Sequence, residues 1–304
     1  MPSLLKNQVA RRLLRPAAAL VDQRLQRPVS RLRGELDGLR RELADLRGQE
    51  YAVGLLFDRT GRSGPRLPTP AQIERLVAEV AEVSGADKAA ARRNVTVAFR
   101  NVIALEALAV GRLAGSTQNV CGKLATIPLL GPPNEQVLEI GTLYGLFSAT
   151  LMRMLHRAGI EPELTVVDPL VGTQLQPGGL EGADPTGTPV REDVVRANLA
   201  LGGAAGERAR IHVGFSGDPE VRAAVSDREY GVVVVDGDHG AKGVREDLEW
   251  AEEIVAPGAI VVLDDYGDKK WPGVQEGADA HLAAGSRFEM LGRAATSAFL
   301  RATS

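Results

Sequence analysis

From Val137 onward the chain shows short runs of consecutive apolar residues, separated by stretches in which apolar positions recur every three to four residues. Val137–Ile140, Leu164–Val167, Ala209–Val213, Gly231–Val235 and Ala259–Leu263 read as strands. Runs that are apolar throughout belong to strands buried on both faces, and amphipathic helices between them make the strands parallel. The pattern predicts an α/β fold with a doubly wound, Rossmann-like sheet. Arg287–Leu291 and Ser297–Arg301 lie too close together for a helical crossover. They predict a C-terminal antiparallel hairpin that completes a seven-stranded sheet.

Ahead of Val137 the periodicity is helical. Ile73, Leu76, Val77, Val80 and Val83 share one face, and a second helical stretch covers Val95–Leu113 until GSTQ at 115–118 breaks it. Residues 71–130 thus read as a helical cap in front of a domain spanning 131–304. Asp58–Pro70 is rich in Gly, Pro and Arg and reads as a linker. Within 1–57, Leu25, Val29, Leu32, Leu36, Leu39, Leu43 and Leu46 alternate spacings of four and three, the seam of a coiled coil. Pro28 limits the seam, and so short a helix needs a partner. That partner is either the body of its own chain or a second copy, which makes a homo-oligomer the expectation. Lys6, Arg11, Arg12 and Arg15 interleave with Leu4, Leu5, Val9, Leu13 and Leu14. Such a segment is either a solvated charged face or a peripheral contact with an anionic membrane. The loop Val171–Val190 is long, Gly/Pro-rich and aperiodic, the character of a lid or substrate loop.

Charge changes the picture only locally. The net charge of −3 over 304 residues leaves no broad basic surface for nucleic acid, although residues 1–50 hold eleven Lys/Arg against six Asp/Glu. No apolar stretch is long enough for a membrane span, and the single Cys121 reads as a small buried hydrophobe. A cytoplasmic location follows as the expectation.

The candidate chemistry sits at the strand ends. VVVVDGDH at 232–239 and IVVLDDY at 260–266 each finish an apolar run in paired acids, separated by one helix length. Parallel strands deliver their C-terminal residues to the same edge of the sheet, so Asp236, Asp238, Asp264 and Asp265 converge. Four carboxylates there need either a hard divalent cation or raised pKa values; the cation is the expectation. The first strand runs into Glu139-Ile-Gly141-Thr142-Leu-Tyr-Gly145, a turn whose glycines admit a ligand to the backbone. The second strand ends in Asp168, placed to receive ribose hydroxyls or to cap a turn. Together they indicate a nucleoside cofactor, and the absence of GxGxxG disfavours a nicotinamide one.

VLEIGTLYG, the acid of VVDP, and the DGDH and DDY motifs at this spacing resemble the class I S-adenosylmethionine-dependent methyltransferases. More narrowly they are similar to the metal-dependent O-methyltransferases that include macrocin-type and aminocoumarin-type sugar methyltransferases and cephalosporin hydroxylase-like proteins. The resemblance spans about residues 120–302. It implies S-adenosylmethionine and Mg²⁺ as cofactors, with Glu139, Gly141, Thr142, Gly145, Asp168, Ser216 and Asp236 at the S-adenosylmethionine. It also implies Asp236, Asp264 and Asp265 as metal ligands and Asp238 as general base. Where relatives carry Gly-Asp-Ser after the third strand, this chain has Gly214-Phe215-Ser216, so Phe215 either stacks on the adenine or belongs to the core.

Methyl transfer to a hydroxyl needs alignment of oxygen, methyl and sulfur, a means of lowering the hydroxyl pKa, and a base. Asp238 is the expected base and His239 the competing one, with a turn-orienting role for His239 as the alternative. Trp271 is a candidate wall for a sugar or aromatic acceptor, or simply a packed side chain. The expected acceptor is a hydroxyl on a sugar of a glycoside, glycolipid or secondary metabolite. A catechol-type small molecule is the second reading; a third is a coiled-coil assembly protein whose domain binds the cofactor without turnover.

Overall fold

The computed structural model describes residues 26, 28–49, 68–171 and 187–303. The basic segment before residue 26, most of the linker, and the heart of the loop read as a lid lie outside the described residues. The chain divides into two units, Met1–Asp58 and Arg59–Ser304. The described part of the first is a helix, α1, over 28–49. Val29, Leu32, Leu36, Leu39, Leu43 and Leu46 are all exposed on it.

The second unit begins with α2 (Pro70–Ser84), where Thr69 and Gln72 form a reciprocal capping box and Pro70 occupies the first turn. Next come α3 (Lys88–Leu108), α4 (Thr117–Thr126) and a 3₁₀ turn over Ile127–Leu130. The elements β1 (Gln136–Ile140), α5 (Leu146–Arg157), β2 (Glu163–Asp168), α6 (Glu192–Ala200), α7 (Ala204–Glu207) and β3 (Arg210–Val213) follow. The remainder is α8 (Pro219–Val225), β4 (Tyr230–Val235), α9 (Ala241–Ile254), β5 (Val255–Leu263), α10 (Pro272–Ala283), β6 (Phe288–Ala294) and β7 (Ser297–Ala302).

The seven strands lie in the order β3-β2-β1-β4-β5-β7-β6. The first five are parallel, and β7 runs antiparallel to both β5 and β6, as the short C-terminal connection required. Alternation of side chains across the pleat splits the apolar runs between two cores. Val232, Val234, Ile260, Val262 and Phe299 enter one; Val233, Val235, Val261, Leu263 and Leu300 enter the other.

Leu76, Val80, Val95, Val102, Val120 and Leu124 share the first core with the strands, so residues 71–130 form part of one covering layer. The arrangement puts α4 directly beside the strand ends.

Candidate active site

The order of the strands reverses between β1 and β4, and at such a switch point loops leave in opposite directions and open a crevice. A cavity of about 500 Å³ lies there, lined by the turn after β1, Asp168, Phe215 and Ser216, the DGDH segment, and Lys123 of α4.

The floor is set by a close crossing. Gly141 has φ +85°, and a Cβ on it would lie 2.2 Å from the Asp236 carbonyl oxygen. Gly141 N–H donates to Val167 O at 2.9 Å and Asp236 N–H donates to Ile140 O at 2.8 Å, so both segments are pinned. Gly145, at φ +76°, opens α5. Asp168 accepts from the backbone N–H groups of Thr142 at 2.8 Å, Leu143 at 3.0 Å and Leu170 at 2.9 Å. Its carboxylate thereby fixes the glycine turn against β2.

Glu139 is buried and accepts from the Thr142 hydroxyl and, at 2.8 Å, from Ser148 Oγ. Burial pushes its carboxyl up to about 7, with the two hydroxyl hydrogen bonds acting the other way. The folded form therefore holds this proton more tightly than the unfolded chain, and its stability falls as pH rises from about 4.5 through 7. Replacing Glu139 by Gln should stabilise the protein by about 3 kcal/mol at pH 8 and by much less at pH 5. Denaturation midpoints at the two pH values test it; an equal change at both would contradict the assignment.

The acids of the two motifs do gather, but not around a shared vacancy. Lys123 Nζ lies 2.7 Å from Asp264 Oδ1 and 3.7 Å from Asp236 Oδ2. Asp264 Oδ1 also accepts from Asn119 Nδ2 at 2.7 Å and Ser297 Oγ at 2.9 Å. Burial and the neighbouring Asp264 hold the Asp236 carboxyl well above the usual range, whereas Lys123 and its hydrogen bond keep Asp264 low. Asp265, in the left-handed region at φ 55°, lies 3.2 Å through Oδ2 from His239 Nε2. Among the described residues, no group of three or more His, Cys, Asp or Glu side chains is disposed to hold a metal ion. The expected ligand set of Asp236, Asp264 and Asp265 thus does not fit a divalent ion, because an ammonium already stands beside Asp264 and Asp236, Asp264 Oδ1 also accepts from an amide and a hydroxyl, and Asp265 Oδ2 faces an imidazole.

Asp238 and His239 both line the cavity but have different partners. The Asp238 carboxylate turns back to accept from Gly240 N–H at 2.7 Å and packs against Gly243, at the start of α9. His239 makes no bond to it. The imidazole instead spans Asp265 and, at 3.8 Å, Asp236, with its ring centroid 4.6 Å from that of Trp271. Its Nδ1 is buried without a hydrogen-bond partner.

Three residues at this cavity were not singled out from sequence: Lys123, Arg112 and Asp247. Asp247 sits on the buried face of α9 with Oδ2 unpartnered, while Ser216 hydrogen-bonds its carboxyl. Burial raises this carboxyl to about 6. Its only signal in the sequence was an acid at a position that the periodicity of α9 turns inward.

Sheet order, glycine turn and strand-end acid define a doubly wound, Rossmann-like sheet with its crevice at the switch point. Residues 138–266, somewhat less than half of the chain, match the family described as a methyltransferase domain. Among solved structures it is similar to Rv0187 from MTB in cofactor-bound form, at 18% identity over 78% of this chain and 98% of that one, with a TM-score of 0.46. It is also similar to the O-methyltransferase NovP, at 17% identity over 77% and 100%, with a TM-score of 0.45. The O-methyltransferase TomG from Streptomyces achromogenes, in complex with SAM, matches at 19% over 68% and 90%, with a TM-score of 0.44. No curated protein matches the chain. Among the described residues no helix is long and apolar enough to cross a membrane.

Proposed function

We propose that the protein transfers a methyl group from S-adenosylmethionine to a hydroxyl oxygen, with a sugar hydroxyl as the preferred acceptor. One observation carries the reading: a single cavity joins the Gly141 turn, Asp168 and Phe215 to the DGDH segment and its acid-held imidazole. S-adenosylmethionine supplies an activated methyl on a sulfonium sulfur. The residues present suit it. Gly141 admits a ligand against bare backbone, and Asp247 Oδ2 is a buried acceptor in want of a donor such as the adenine amino group. Phe215, exposed and lining the same cavity, offers a ring to cover the base, and Asp168 keeps lone pairs for the ribose.

His239 is the base in this reading. A carboxylate at Asp265 can only accept, which puts the imidazole proton on Nε2 and the lone pair on Nδ1. As the new oxygen–carbon bond forms and the sulfur–carbon bond breaks, the hydroxyl proton passes to Nδ1. Asp238 caps the turn that carries the imidazole. Trp271 backs His239 and gives an acceptor ring an apolar wall, while the acids beside it accept from neighbouring hydroxyls.

Incubation with labelled methyl donor and paired sugar and catechol acceptors tests the acceptor class: product from sugars alone is expected, and product from catechols alone overturns the sugar reading. Asp247→Ala should weaken S-adenosylhomocysteine binding about tenfold, the worth of one buried charged hydrogen bond. It should also erase the preference for the adenosyl over the inosyl form, measured by calorimetry. An undiminished preference would move the adenine elsewhere.

A further inference from the structure

Lys123 is the feature that neither the motifs nor the fold explains. It projects from α4, more than a hundred residues before the acids it meets, and is 2% exposed. Asn119 lies one helical turn earlier on the same helix, and both side chains reach Asp264 Oδ1. One face of α4 is thereby built to receive this carboxylate. The ring of Phe147 lies under the ammonium, 4.6 Å from Nζ to the centroid, and adds a further attraction for positive charge. A buried ammonium persists only where it is paired, and ionised strand-end acids are stabilised together by a cation among them. Each requirement here is met by the other.

We propose that Lys123 stands in the place of a divalent ion: its ammonium is the resident cation of the strand-end acids, and the site works without bound metal. A metal ion at Asp264 Oδ1 would meet the ammonium at contact distance and lose the lone pairs that Lys123, Asn119 and Ser297 occupy. Lys123 also lines the cavity, and Asp264 uses one of its three N–H donors at hydrogen-bond distance. A remaining donor can polarise the acceptor oxygen, the part a Lewis acid would otherwise play. That last role rests on the methyl-transfer reading; the absence of a metal requirement rests on the geometry alone.

The test is Mn²⁺ titration of the chelator-treated full chain, followed by electron paramagnetic resonance, beside calorimetry with S-adenosylhomocysteine. The wild type should bind no Mn²⁺ at this cluster below about 1 mM, a level at which an all-carboxylate site would already be filled. Lys123→Met should acquire one Mn²⁺ per chain and be stabilised by it, with at least about a hundredfold loss of turnover and little change in S-adenosylhomocysteine affinity. If that variant does not fold, the wild-type titration decides. Binding that survives Asp264→Asn lies elsewhere and agrees with the proposal. One tightly bound Mn²⁺ in the wild type, lost in Asp264→Asn, overturns it, as does transfer that stops on chelation and returns with Mg²⁺. Failure to bind S-adenosylhomocysteine would instead remove the methyl-transfer reading and leave the metal result standing.

Discussion

Gly141→Ala is expected to destabilise the protein by about 4 kcal/mol or more and to abolish cofactor binding. Two costs add. An alanine at φ +85° is strained by about 1 kcal/mol relative to glycine. The larger cost is overlap, since the new methyl would lie 2.2 Å from the Asp236 carbonyl oxygen and 2.9 Å from Gly237 Cα. Those are backbone atoms and cannot rotate away; moving them means breaking the Asp236 N–H to Ile140 O bond that joins β4 to β1. Gly85→Ala supplies the control, because Gly85 has φ +68° with nothing within 4 Å of an added Cβ. It should lose only about 1 kcal/mol. Urea midpoints for the pair separate the terms, and equal losses would show that the crossing of β1 and β4 is looser than described.

Loss of His239 should produce the largest kinetic effect short of removing the cofactor. His239→Phe keeps a ring against Trp271 but removes both nitrogens, and should lower turnover by about 10²- to 10⁴-fold with S-adenosylhomocysteine affinity within about threefold of the wild type. Asp238→Asn should retain turnover within about tenfold, since an amide oxygen can still accept from Gly240 N–H. Single-turnover rates for the two variants decide between the adjacent residues. A collapse in Asp238→Asn with near-normal rates in His239→Phe would return the proton to Asp238.

Much of this site could be read along the chain because it depends on local chemistry. The runs at 232–235 and 260–263 had to be buried strands, and their parallel pairing had to bring Asp236 and Asp264 to one edge. Gly141 was identifiable as a point of close approach, although what approaches it was not: the neighbour is the backbone of Asp236 itself. Asp265 was visible as an acid, whereas its left-handed backbone, which accompanies its approach to His239, was not. The periodicity of 71–130 gave the helices and their apolar faces without saying which surface those faces cover.

Periodicity and strand-end acids, written within a few dozen consecutive residues, were enough to determine the doubly wound sheet, its reversed C-terminal hairpin and the gathering of carboxylates. Only the tertiary structure decided which positive charge those carboxylates meet, which nitrogen of the DGDH segment is left unpartnered, and that Asp247 faces the cavity. Strand order and alternation follow from hydrogen bonding and sterics between near neighbours. The partner of a buried charge is whatever side chain the packing of a distant helix brings within 3 Å, and for Asp264 that is Lys123 of α4.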